Sequence, residues 1–65
     1  VTPEAKERAD LLDDLSMINA DLIALRVDPV VSLRSAECMT LADLRVAVRA
    51  SGFHLADAAR KLSGA

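Results

Sequence analysis

Leu11, Leu15, Ile18, Leu22 and Leu25 recur at spacings of four, three, four and three. This is two heptads of an a/d seam, the pattern by which one helix packs along another. A chain built around such a seam is helical there, and it needs a second apolar surface to cover the seam. Ala9, Leu12, Ala20 and Ile23 widen the stripe beyond a two-stranded coiled-coil seam. The helix is therefore expected to touch two neighbours, as in a bundle, with Asn19 beside the seam facing water.

The chain has 65 residues, enough for one helical domain spanning 1–65. A chain this short buries only about 60% of its unfolded surface, so stability is marginal without a disulfide, a metal or self-association. Cys38 is the only cysteine and His54 the only histidine, which excludes an internal disulfide and a four-ligand Cys/His zinc site. Association with a second copy or a larger protein remains as the source of extra stability. The apolar residues are mainly Ala, Leu and Val, with Phe53 the sole aromatic, a profile that fits an all-α fold.

Charge separates along the chain. Residues 1–28 carry seven acids against three bases, and residues 29–65 carry three acids against five bases. The halves, or their copies in a dimer, are electrostatically complementary, although two solvated helix faces account for the same pattern. The net charge of −2 makes the chain a poor general polyanion binder. No apolar run approaches the roughly 18 residues of a membrane span. The acidic N-terminal stretch does not read as a signal peptide, and a free thiol suggests a cytoplasmic setting.

Thr2-Pro3-Glu4 reads as a helix start, with Thr2 as cap and Pro3 in the first turn. The helix is predicted over 3–26, closed by Arg26 at its negative end. Asp28-Pro29 breaks it and is expected to begin a second helix over 29–36, with a strand at Val30–Leu33 as the competing reading. Thr40-Leu41-Ala42-Asp43 resembles a capping box and opens a third helix over 41–51, which Gly52 ends. Phe53 then folds back as a core plug, and Leu55, Ala58, Ala59 and Leu62 space a fourth helix over 54–63. The expected architecture is one long N-terminal helix and three short ones, completed by dimerisation.

Chemistry-bearing residues are sparse. Cys38 and His54 are the one nucleophile–base pair available, and no motif around either brings them together. Cys38 is expected as a small apolar core residue. His54 and Asp57, one turn apart, offer only two metal ligands.

The run His54-Leu-Ala-Asp-Ala-Ala-Arg-Lys-Leu-Ser-Gly-Ala resembles the first helix of a helix-turn-helix unit, where small residues let two helices cross closely. Ala58, Ala59 and Leu62 carry the likeness, and Ser63 stands where the turn glycine would be. The resemblance implies duplex DNA as partner, with Arg45, Arg49, Arg60 and Lys61 as phosphate contacts. A second likeness lies in Leu15 to Arg26, which is similar to the first helix of helical chorismate mutases. Those are intertwined helical dimers that need no cofactor and hold a dicarboxylate with arginines. Ser16 and Asn19 stand here where that family has an arginine and an aspartate.

The reading favoured by the residues is a small protein–protein interaction or dimerisation module without enzymatic activity, cofactor or metal. Leu11, Leu15, Ile18, Leu22 and Leu25 are its expected partner interface.

Overall fold

A computed structural model describes residues 2–64 of the chain. Val1 and Ala65, the ends of the expected 1–65 domain, lie outside the described residues. Three helices and no strand are present among them: α1 (Pro3–Ala24), α2 (Leu33–Glu37) and α3 (Leu41–Ser63). The all-α reading holds. The count of four helices does not, because the two expected C-terminal helices are one.

The start of α1 follows the expected chemistry. Thr2 is extended and its Oγ1 accepts from the Ala5 amide at 3.1 Å, with Pro3 in the first turn. The end comes earlier than expected, at Ala24. The Val27 amide bonds back to the Leu22 carbonyl and the Arg26 amide to that of Ile23, both at 2.9 Å. These crossed bonds are a Schellman closure. It requires a left-handed residue at Arg26, whose φ is 60°. Arg26 therefore lies past the helix as its reversing residue, not within its last turn.

Asp28 and Pro29 do not start a helix. The segment from Val27 to Val31 stays outside regular secondary structure, and α2 opens later, where Ser32 Oγ accepts from the Ser35 amide at 3.1 Å. A serine cap satisfies an otherwise orphaned amide, and the adjoining Val30 and Val31 gain little from helical geometry. The Val31 carbonyl is instead taken by the Asn19 side-chain amide at 2.9 Å. Asn19 is thus buried, 7% exposed, rather than facing water as expected.

Thr40 caps α3 through the Asp43 amide at 3.1 Å. The helix runs through Gly52, which has no positive φ. Glycine inside a helix costs about 1 kcal/mol relative to alanine. The burial of Leu44, Ser51 and Ala58 on one face of a single continuous helix outweighs that cost.

Two contacts fix the relative direction of the long helices. Arg8 Nη1 donates to the Met39 carbonyl just before α3 begins, at 2.8 Å. His54, thirteen residues into α3, bonds through Nε2 to the Asp28 carbonyl just after α1 has ended, at 3.2 Å. The two helices therefore run parallel and staggered, and the segment 25–40 travels back along them. The molecule is a rod of 45 × 17 × 16 Å. Its core is Leu15, Ala36 and Leu44, with Leu11, Leu12, Val31, Leu33, Met39 and Val48 packed around them.

Candidate functional site

The geometry of the α1–α3 pair decides which surfaces remain for function. At about 100° per residue, the inward direction of α1 is set by Leu15 and Leu22, and that of α3 by Leu44 and Ser51, all fully buried. The returning segment covers one flank of the pair. It is met there by Asn19 and Leu12 from α1 and by His54 from α3. The Glu7–Arg45 ion pair ties the helices on the other flank, with Arg45 Nη2 donating to Glu7 Oε1 at 2.7 Å and Nε to Oε2.

That second flank has no third layer over it. Leu11 and Ile18 line it from α1, Leu25 from the cap that follows it, and Val48, Gly52 and Leu55 from α3, all half-buried. Ala59 continues the line and is exposed. A Cβ built on Gly52 would meet nothing within 4 Å, so the helix backbone itself is approachable there.

The five seam residues consequently divide. Leu15 and Leu22 are wholly enclosed by the chain and present nothing to a partner. Leu11, Ile18 and Leu25 are the members left partly in water on the open flank. Sequence spacing could not separate these groups, because all five share one stripe and only the path of residues 25–40 decides which side is covered.

The basic residues are mostly engaged. Arg45 forks onto Glu7, and Arg60 and Lys61 both hold Asp57, at 3.2 and 3.0 Å. These contacts hold the Glu7 and Asp57 carboxyls below their ordinary values: hydrogen bonding from Arg45 is the main cause for Glu7, and from Lys61 and then Arg60 for Asp57. Arg49 is exposed. The four cations expected to meet phosphates thus lie along α3, three of them beside carboxylates. The Ala58, Ala59 and Leu62 run lies inside the unbroken last turns of α3, with no turn at Ser63.

Cys38 and His54 are not brought together. Cys38 is exposed at the end of α2, where the expectation had it buried. His54 lies about 20 Å further along α3 than its first residue, at the level of Asp28. Among the described residues no group of three or more His, Cys, Asp or Glu is placed to hold a metal ion. No helix among the described residues is long and apolar enough to cross a membrane.

Phe53 was expected as a core plug and is instead 70% exposed. With α3 continuous through Gly52, Phe53 falls on the side opposite Leu44, together with Val46. Met17 holds the corresponding outer position on α1. No family model, curated protein or solved structure matches this chain.

Proposed function

We propose that this chain is a small helical module that binds another protein surface and has no catalytic role. The observation that supports this reading is the open flank of the α1–α3 pair. A two-helix apolar wall, tied at one end by Glu7–Arg45 and lacking a third layer, is the shape into which further helices pack. The flank joins Leu11, Ile18 and Leu25 to Val48 and Leu55, and the polar pair upon it, Glu7 and Arg45, is closed on itself.

The test places a photocrosslinking amino acid at Ile18 or Leu55, and as a control at Arg34 on α2, in the native host extract. The module reading expects discrete protein adducts from positions 18 and 55 and not from 34. Equal labelling at all three would count against it. Duplex DNA is the separate check: clear retardation that weakens steeply with salt would replace the protein reading with a nucleic-acid one.

A further inference from the structure

We propose that the occupant of the open flank is a second copy of this chain, laid face to face so that each α1 lies over the other copy's α3. This rests on the module reading above and names its partner.

Size supports it first. The half-buried lining runs from Leu11 to Leu25, about 21 Å at 1.5 Å per residue, along a molecule 45 Å long. An occupant that covers it needs a helix of about four turns with an apolar stripe of its own, and α1 of a second copy is one.

Charge selects the arrangement. On the open flank the outer rim of α1 carries Asp14 and Asp21, and that of α3 carries Arg49 beside Arg45, which already holds Glu7. Neither Asp14 nor Asp21 has a cation within ion-pair distance among the described residues, nor has Arg49 an anion. A twofold axis parallel to the helices places the acidic rim of each copy against the basic rim of the other, twice over. A twofold axis across the helices would set acid on acid and base on base. Only the first relieves both rims, and it closes as a dimer.

The backbone permits the approach. Gly52 lies in the middle of the flank with open space where its Cβ would be, giving the other copy's α1 a notch between Val48 and Leu55. The result is a four-helix layer pair, with Leu11, Ile18 and Leu25 of each copy removed from water.

Sedimentation equilibrium on the intact chain tests this. The parent is expected to dimerise with a dissociation constant of about 10 μM or tighter. Ala59→Glu alters a residue already exposed in the single chain, so folding is retained by circular dichroism while association weakens by at least about tenfold. Phe53→Glu, on the outer side of α3, leaves association unchanged. Asp21→Arg and Arg49→Glu each weaken the dimer, and the double reversal restores it. A parent that stays monomeric at about 1 mM overturns the proposal. So does a dimer insensitive to Ala59→Glu, or a double reversal weaker than either single one. A monomeric parent whose position 18 still crosslinks to a different protein would sink the self-pairing and leave the module reading intact.

Discussion

Arg26 is the one non-glycine residue with a positive φ among those described. Its side chain makes the left-handed conformation cost about 1–2 kcal/mol, yet the Schellman closure demands it. Glycine meets the same geometry without that strain but gives up more freedom on folding. Arg26→Gly is therefore expected to raise stability by about 0.5–1 kcal/mol, read from the urea midpoint at unchanged m-value. Asn19 and Ser51 are both buried polar residues, and each has a side-chain oxygen without a partner. Asn19 Nδ2 also satisfies the Val31 carbonyl, so Asn19→Ala strands that acceptor while removing the unpaired Oδ1, and is expected to cost towards the lower end of about 1–3 kcal/mol. Ser51 Oγ is buried without a partner, so Ser51→Ala is expected to be neutral or stabilising in the same assay. The position of Asn19 could have been inferred from sequence. It falls four residues after Leu15 and three before Leu22, on the same stripe, and a polar residue there must be buried with its own hydrogen bond.

The helix starts were readable because capping is local chemistry: Thr2, Pro3 and Thr40 act within three residues of themselves. The seam was readable because periodicity survives any tertiary arrangement. The middle and end of the chain were not. Gly52 is a common helix terminator, and only the packing of Leu44, Ser51 and Ala58 along one line keeps α3 going through it. That single difference rotates Phe53 from a folded-back plug to the outer surface. Likewise, Asp28-Pro29 carries a valid start signal, but the claim of Asn19 on the Val31 carbonyl favours an extended return. The candidate interface was legible as a stripe and not as a surface, because its two halves differ only in which side residues 25–40 cover. Gly52→Ala is the measurement at this scale. At concentrations where the chain is a single copy, it should gain about 1 kcal/mol from helix propensity, since nothing obstructs the new Cβ. A loss of stability there would mean that the helix depends on a glycine at its centre.

At the scale of the molecule, one ion pair links the two long helices near one end, and its linkage to pH has a definite sign. The Glu7 carboxyl is held below its ordinary value of 4.5 by its hydrogen bonds from Arg45. A depressed carboxyl contributes stability that is present above the unfolded value and lost as pH falls through the folded one. The urea midpoint is therefore expected to hold steady from neutral pH and to fall below about 4.5, with the Glu7→Gln variant showing a shallower fall. Asp57 is depressed in the same direction by Lys61 and Arg60, but all three belong to α3, so Asp57→Asn should change the profile less. The parallel stagger of α1 and α3 also fixes how the rod carries load. Thr2 and Gly64 lie towards opposite ends of its long axis, because the helix that opens the described chain and the helix that closes it point the same way. Tension applied at those two residues would slide α1 and α3 past each other in shear. The Leu15–Leu44 packing, the Arg8–Met39 bond and the Glu7–Arg45 pair would then resist together rather than parting one at a time. Pulled end to end, the molecule is built to behave as a stiff link, not a hairpin that unzips.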